Sequence, residues 1–415
     1  MDIFEKIQQR PGPLGQYSDW AHGYFMFPEL EGEISNRMKF RGKEKIVWSL
    51  NNYLGLANHP EVRETDATAA KEFGLATPMG ARMMSGDTKY HQQLERELAD
   101  FVQKEDVFLL NYGYQGVISI IDAILDRHDV LVYDAEAHAC IVDGARLHIG
   151  KRFAYRHNDI ENLEKQLQHA QAAVGPNGGI LVVTEGVYGM SGDQGKVKEI
   201  VALKKKYNFR LFIDDAHGFG VMGPHGEGTH IHQGVAEGVD IYFATFAKAM
   251  ASIGAFVGSD KKIISHLRYN MRSQTFAKSL PLPLVIGDLK RLELIRRNTE
   301  LKDKLWDNVA KLQKGLKERG FDIGRTNSCV TPVYLKGNVM EAVNLVIDLR
   351  ENYDIFCSIV VYPVIPKGEI IIRIVTSSEH TDDDINRTLE AFTVIADKLK
   401  NKQYDSEKLS FNTAN

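Results

Sequence analysis

The stretch DIYFATFAKAMASIGAF, residues 240–256, places two short apolar runs on either side of a loop that holds one lysine, Lys248. No other side chain between Asp240 and Asp260 carries a charge at pH 7. Short runs rich in aromatic and β-branched residues predict buried strands. The segment therefore predicts a sheet edge at which a single ammonium group follows the end of a strand in an apolar setting.

Similar apolar runs occur upstream and downstream and alternate with segments of helical periodicity. They are DVFLLN, DVLVYD, GILVVTEG and RLFIDD before the opening stretch, and GAFVGSD at its end. Continuous Val, Ile, Leu and Phe runs separated by helices are typical of a mostly parallel sheet that is covered on both faces. The chain from about residue 60 to 290 therefore predicts an α/β sheet domain.

The flanking regions differ in character. Residues 1–45 suggest an irregular arm, 46–295 the large domain, and 296–400 a smaller α+β domain. A charged helix is predicted over about 283–319. Strands are predicted at CVTPVYL and EIIIRIVTS, and helices at VMEAVNLVIDLREN and TDDDINRTLEAFTVIADKL. The polar residues 401–415 are predicted to form a flexible tail.

Composition narrows the functional class. The 415 residues are 43% hydrophobic and 26% charged, with a net charge of −4, so a broad basic surface for nucleic acid is not expected. The three cysteines form no C-x-x-C, which excludes a zinc knuckle or disulfide framework and fits the cytoplasm. The N-terminus has no apolar core stretch, so a signal peptide is not expected.

The first candidate site is FLLNYGYQGV, in which a strand ends and a glycine-containing turn enters a helix at Tyr114 and Gln115. Free amides at a helix N-terminus bind phosphate well. A plain strand–turn–helix uses similar residues, so this segment alone leaves both interpretations open.

The second candidate is LFIDDAHGFGVMG, where Asp214 follows an apolar strand and His217 comes three residues later. A buried carboxylate is costly unless it meets a cation, although helix capping is the alternative. Its glycines have G-x-G-x-x-G spacing, which favours a dinucleotide site only when the motif opens a helix. Further Gly and Pro residues follow, so we expect a loop here.

Lys248 is the third candidate. A desolvated lysine becomes a usable amine nucleophile and can form a Schiff base with a carbonyl cofactor, whereas the alternative is a lysine lying along a helix surface. A phosphate cradle, an acid for a protonated ring nitrogen and a lysine for an aldehyde together match pyridoxal 5′-phosphate. The three segments therefore predict this cofactor.

His138, in DAEAHACIVDG, follows another strand and would stack on a pyridine ring or serve as a structural histidine. Cys140, two residues later, is not expected to face it on a helix. The H-x-H pair at His230 and His232 is expected to be solvated in its Gly-rich loop, and its surroundings lack a recognisable ligand spacing, so no metal is predicted.

Several ordered segments resemble the α-oxoamine synthases, fold-type I pyridoxal-phosphate enzymes that include serine palmitoyltransferase and 8-amino-7-oxononanoate synthase. These segments are SLNNYLGLANHP, GARMMSGDTKYHQQLE, DAEAHACIVDG, EGVYGMSGD, DDAHGFGVMGPHGEG, TFAKAMASIGAF and IIIRIVTSSEHT. The resemblance covers about residues 45–395. It implies a large, mostly parallel seven-stranded sheet domain and a smaller C-terminal α+β domain.

The resemblance implies a role for each matching cofactor residue. Lys248 would be the Schiff-base lysine, Asp214 the partner of the pyridine nitrogen, and His217 the partner of the ring hydroxyl. His138 would stack on the ring. Thr245, Tyr114 and Gln115 would hold the phosphate, with Ser279 of a second subunit, because family members are homodimers with shared active sites.

Asn51 and Arg373 match positions that bind the amino-acid carboxylate, for which a guanidinium is well suited. The chain departs from the family at Gly189, Ala81, Cys140 and Glu379, and Lys278 adds a cation near the expected phosphate. These departures concern the amino-acid substrate, and a sulfonate would require additional donors or a cation such as Lys278.

The implied reaction is a decarboxylative condensation of an amino acid with an acyl thioester, of coenzyme A or acyl carrier protein, to an α-amino ketone. The pattern looks closest to a subgroup that uses cysteate and long-chain acyl groups for sulfonolipid (capnine) synthesis. Serine is the alternative, followed by the glycine C-acetyltransferase and 8-amino-7-oxononanoate synthase reactions. Peripheral membrane contact through the lipid product is a further expectation.

Three rival functions belong to other classes. An aminotransferase would share the cofactor site, and an inactive partner subunit should lack Lys248, which is present. A dinucleotide oxidoreductase would need a helix after Gly223.

Overall fold

In a computed structural model, residues 1–297 and 299–406 are described. The chain forms two compact units, one made of Met1–Leu50 with Leu305–Asn415 and the other of Asn51–Lys304. The N-terminal residues therefore fall in the same unit as the C-terminal ones, whereas the sequence suggested a separate arm at 1–45. The sequence-based boundary at 295/296 lies nine residues before the boundary at 304/305.

Both units contain helices and strands. The strands, numbered in chain order, are β1 Leu30–Glu31, β2 Arg37–Phe40, β3 Lys43–Val47, β4 Asp106–Leu110, β5 Val130–Asp134, β6 Lys151–Tyr155, β7 Ile180–Glu185, β8 Arg210–Asp214, β9 Ile241–Thr245, β10 Ala255–Ser259, β11 Val330–Tyr334, β12 Ile355–Phe356, β13 Ser358–Val360 and β14 Ile371–Val375.

The helices are Ile3–Gln9, Gly12–Gly15, Ser18–Ala21, Pro60–Phe73, Lys89–Phe101, Gly113–Ile124, Ala139–Leu147, Ile160–Ala173, Val197–Leu203, Thr229–His232, Lys261–Asn270, Arg272–Thr275, Leu282–Arg297, Thr299–Glu318, Val339–Asn352, Asp382–Lys400 and Gln403–Ser406, with 3₁₀ turns at Leu56–Asn58 and Ala236–Gly238. Within the described residues, none of the helices has both the length and the apolar content needed to cross a membrane.

The larger unit is built on a seven-stranded sheet in the order β4-β10-β9-β8-β7-β5-β6. Strand β10 runs antiparallel to β4 and β9, and the other neighbours are parallel. The mostly parallel sheet predicted from the apolar runs is confirmed, and all six runs are strands. Strand β6 gave no such signal, because it lies at the sheet edge and its basic residues Lys151 and Arg152 are exposed.

The middle strands are buried on both faces. Leu131, Val183, Phe212 and Phe243 are nearly inaccessible and pack with residues of helix Gly113–Ile124 in one core. Burial of each such side chain contributes about 1.5–3 kcal/mol. Because β5, β7, β8 and β9 are parallel, their carboxyl ends meet at one edge of the sheet, where open α/β sheets bind ligands.

The smaller unit contains the sheets β1-β2-β3-β12 and β11-β14-β13. The predicted C-terminal strands pair as β11 and β14, and both predicted helices form, the second with a capping box between Thr381 and Asp384. The prediction of an irregular arm over 1–45 is wrong for β2 and most of β3. In β2 the buried residues Met38 and Phe40 alternate with more accessible residues. The strand has only 4 residues, which are too few for this alternation to stand out in the sequence.

The structure differs in detail from the predicted charged helix and from the predicted C-terminal tail. The charged helix predicted over 283–319 corresponds to Leu282–Arg297 and Thr299–Glu318, with residue 298 outside the described part. The flexible tail predicted from 401 does not hold for 401–406, because Tyr404 is buried and its hydroxyl donates to Asp348 at 2.5 Å. Residues 407–415 lie outside the described residues.

Candidate active site

Asp214 ends one strand of the large sheet, and Lys248 follows the end of the neighbouring strand. Strand β8 ends at Asp214, the parallel strand β9 ends at Thr245, and Lys248 lies in the loop that follows β9. Asp214 is buried, and this burial raises the pKa of its carboxyl group, while the nearby charges of Lys248 and His138 act in the opposite direction. The structure thus brings three predicted cofactor residues into electrostatic contact.

The Asp214 carboxylate has modest hydrogen-bond support from the protein. Its Oδ1 accepts from the Ala216 amide at 3.1 Å, and its Oδ2 lies 3.8 Å from Cys140 Sγ, a weak donor. A buried carboxylate that accepts so few hydrogen bonds from the protein is suited to bind a cationic ring nitrogen.

His138 is the N-cap of helix Ala139–Leu147, and its imidazole is accessible to solvent. The protein atoms packed around the ring disfavour its charged form and lower its pKa, with Lys248 adding to the effect and Asp214 opposing it. Its backbone amide donates to Glu185 Oε1 at 2.6 Å. A neutral imidazole with an open face can stack on an aromatic ligand.

The expectation that Cys140 would not face His138 is wrong. Because His138 caps the helix with an extended backbone and does not lie within it, its Nδ1 is 3.0 Å from Cys140 Sγ. The thiol is nevertheless a poor nucleophile, since burial raises its pKa and the nearby Asp214 raises it further.

Glu185 is a site residue that sequence analysis missed. It ends β7 directly beside Asp214 in the sheet register and is buried. Burial raises its pKa well above the ordinary value, and the neighbouring Asp214 adds to the shift. The acid that ends the run GILVVTEG was the available signal, because it stands at a strand end as Asp214 does.

His217 is buried in the turn after β8, and its partner Tyr53 is a second site residue that sequence analysis missed. The Tyr53 hydroxyl lies 2.6 Å from His217 Nδ1 and 3.4 Å from Asn51 Oδ1. Tyr53 therefore connects two predicted site residues. No local pattern marks the Tyr53–His217 contact, since 164 positions separate the two residues.

The segment with G-x-G-x-x-G spacing forms turns and bends from 216 to 226, as predicted, and does not open a helix at Gly223. Gly220 has a φ of +84°, and a β-carbon there would lie 2.5 Å from that of Ala249. Only glycine allows this backbone to approach the loop of Lys248 so closely. The glycines thus pack the His217 loop against the lysine loop.

The segment predicted to hold phosphate opens helix Gly113–Ile124. Its N-cap, Tyr112, makes no side-chain capping hydrogen bond, and a β-carbon on Gly113 would lie 3.1 Å from Thr245 Oγ1. Tyr114 contacts the His138 ring edge-on at 5.8 Å, and Gln115 is exposed on the first turn. Backbone amides and the Thr245 hydroxyl therefore lie beside the predicted ring site and suit a phosphate group.

The remaining predicted residues lie elsewhere or make other contacts. Ser279 Oγ is buried between the carbonyl oxygens of Gly80 and Gly86, at 3.1 and 2.9 Å, so its reach to a partner's phosphate stays a prediction. Lys278 is exposed, and Arg373 lies on β14 of the smaller unit.

Among the described residues, no cluster of three or more His, Cys, Asp or Glu side chains could hold a metal ion. The expectation that the H-x-H pair is solvated is wrong for His230, which is buried and whose Nε2 bonds with the Val102 carbonyl at 2.8 Å.

The chain is similar to several known proteins. The chain is 61% identical to a cysteate-C-fatty acyltransferase from Capnocytophaga ochracea, over 97% of this chain and 96% of that protein. It is 34% identical to a serine palmitoyltransferase from Bacteriovorax stolpii, over 89% and 86% of the two chains. A serine palmitoyltransferase structure from S. paucimobilis, solved with a PLP–myriocin adduct, matches with a TM-score of 0.88 and 27% identity, covering 96% of this chain and all of that one.

The family model that describes aminotransferases of class I and II matches residues 43–392, a range that includes every residue considered above for cofactor or substrate binding. This chain belongs to the aminotransferase class I and II family.

Proposed function

We propose that the protein is a pyridoxal-phosphate-dependent acyltransferase that condenses cysteate with a long-chain acyl thioester. A bond forms between the cysteate Cα and the acyl carbonyl carbon, the thiol leaves, and the cysteate carboxylate is lost as carbon dioxide. The product is an α-amino ketone that carries a sulfonate. The single observation that supports this substrate most is the 61% identity to a cysteate-C-fatty acyltransferase, against 34% to a serine palmitoyltransferase.

The arrangement of the larger unit fits this cofactor. Pyridoxal phosphate, when bound, supplies a protonated ring that withdraws electrons from the amino acid's Cα. Asp214 would hold the ring nitrogen, because it is buried and accepts only weak support from the Ala216 amide and the Cys140 thiol. His138 would stack on the ring and His217 would contact its hydroxyl. The amides at Tyr114 and Gln115, with Thr245, would hold the phosphate.

Lys248 has two proposed tasks. It would bond to the cofactor's aldehyde, and, once displaced by the amino acid, it would take the Cα proton. Its position in the loop after β9, within electrostatic reach of Asp214 and His138, supports both tasks. Asn51 and Arg373 are the proposed ligands of the substrate carboxylate, an assignment that rests on the sequence resemblance.

An amino-acid panel tests the substrate. Purified enzyme with palmitoyl-coenzyme A should release thiol with cysteate at a kcat/KM at least tenfold higher than with serine, glycine or alanine. Release with serine and none with cysteate would contradict the proposal and favour a serine palmitoyltransferase. Exchange of an amino group with a keto acid, without thiol release, would indicate an aminotransferase.

Lys278 is the proposed partner of the sulfonate. Replacing it with Gln should lower kcat/KM for cysteate more than for serine, because only cysteate carries the second negative charge. Lys262→Gln, which removes another exposed lysine of the same unit, is the matched control and should change neither. Equal losses for both amino acids in Lys278→Gln would contradict this assignment.

The assembly and location are further parts of the proposal. A homodimer, in which Ser279 reaches the partner's cofactor phosphate, follows from the family resemblance. We also propose a cytoplasmic enzyme that meets membranes only through its lipid product. Light scattering of the purified protein should give twice the mass of one chain, and a monomer with full activity would contradict the shared site.

A further inference from the structure

Tyr53 lies between two residues with different proposed ligands. Its side chain is fully buried, and its hydroxyl is 2.6 Å from His217 Nδ1 and 3.4 Å from Asn51 Oδ1. His217 is the proposed partner of the cofactor's ring hydroxyl, and Asn51 that of the substrate carboxylate. The inference below rests on that assignment of His217.

The phenol has one proton to donate, and both His217 Nδ1 and Asn51 Oδ1 are within its reach. A distance of 2.6 Å to a ring nitrogen is that of a strong hydrogen bond, whereas 3.4 Å to the Asn51 oxygen is near the limit of any hydrogen bond. The Tyr53 proton therefore favours His217. A neutral imidazole carries one N–H, so a donor at Nδ1 requires that the imidazole proton sit on Nε2.

The other side of the imidazole is confined as well. A β-carbon placed on Gly189 would lie 2.2 Å from His217 Nε2, so any side chain there would displace the ring. The loop of Gly189 is itself held, because His157 bonds with Asp193 at 3.0 Å four residues later. The imidazole thus has a fixed donor on its Nδ1 side and a fixed backbone near Nε2.

We infer that Tyr53 is a positioning residue, which holds His217 in the tautomer that is protonated at Nε2. In this tautomer the Nε2–H would donate to the cofactor's ring oxygen. Because Gly189 has no side chain, the His217 ring can occupy this orientation. The role differs from catalysis, because Tyr53 acts through His217.

Nitrogen NMR of cofactor-free protein labelled at histidine tests the inference, with the His217 signal identified by its loss in His217→Gln. The wild-type protein should show Nε2 protonated and Nδ1 unprotonated. Tyr53→Phe should lose this single-tautomer signature. In the holoenzyme, Tyr53→Phe should also shift the pH midpoint of the cofactor's visible absorbance by roughly one unit.

Tyr24→Phe is the matched control, since Tyr24 is equally buried and its hydroxyl donates to Glu351 in the other unit. It should leave the His217 signal unchanged at a similar loss of stability. An Nδ1-protonated His217 in the wild type, or identical signals in Tyr53→Phe, would overturn the inference. If the expected tautomer is found in an enzyme that does not condense cysteate, the proposed function fails and the inference stands.

Discussion

Two adjacent aspartates at the end of β8 occupy opposite environments. Asp215 accepts three hydrogen bonds, from the Thr229 amide, the Thr229 hydroxyl and the Tyr242 hydroxyl, at 2.7 to 2.9 Å. Asp214 accepts from one amide and a distant thiol. Both are buried. The comparison indicates that Asp215 is satisfied by the fold and anchors the His217 loop, whereas Asp214 is arranged for a ligand.

The largest effect expected from this comparison is that of Asp214→Asn. The amide cannot hold a protonated ring nitrogen, so condensation should slow by roughly 100-fold or more, the loss typical of removing one preorganised electrostatic partner. The variant should fold normally, because few protein hydrogen bonds depend on this carboxylate. Steady-state kinetics and thermal unfolding measure the two effects. Full activity would contradict the ligand role.

Asp215→Asn should have the opposite profile. The amide group would place a donor against the Thr229 or Tyr242 donors, which should lower the free energy of unfolding by about 1–3 kcal/mol. Activity per folded molecule should fall much less than in Asp214→Asn. Chemical denaturation checks the change in stability. A stable but inactive Asp215→Asn variant would mean that the two roles are interchanged or shared.

A smaller effect is expected for His157, whose side chain bonds to Asp193 in the loop of Gly189. Burial lowers the pKa of His157, but its hydrogen bonds to Asp134 and Asp193 outweigh burial and raise the pKa to about 10 from 6.5. Because the folded state then binds the extra proton, this stabilisation is complete below about pH 6.5 and is lost as the pH rises through about 10.

His157→Gln should therefore reduce the loss of unfolding free energy between pH 7 and 10 by about 1 kcal/mol, a value discounted for the partial exposure of the side chain. Denaturation curves at several pH values measure this slope. His169→Gln, an exposed histidine on helix Ile160–Ala173, is the control. An unchanged slope in His157→Gln would show that His157 is not charged in the folded protein.

The sheet and the residues at its strand ends could be predicted from sequence because both have local signals. Continuous apolar runs marked six of the seven strands, and the acid and the lysine that follow two of them marked Asp214 and Lys248. Strand β6 lacked the apolar run because it lies at the edge. Local sequence patterns thus predicted the buried strands and the charged residues at their ends.

Contacts between distant segments had no such signal. The pairing of Tyr53 with His217 depends on how the segment after residue 50 packs on the sheet, and no spacing encodes it. The contact of Cys140 with His138 depends on where the helix begins. Because the helix begins at Ala139, His138 caps it and does not lie within it. Such details follow from backbone geometry at single positions, which propensities do not resolve.

Borohydride reduction of the holoenzyme, followed by peptide mass mapping, identifies the lysine that bonds to the cofactor's aldehyde, because reduction fixes the cofactor on that side chain. We predict a phosphopyridoxyl group on Lys248. The same group on Lys278 or any other lysine, with Lys248 unmodified, would contradict it.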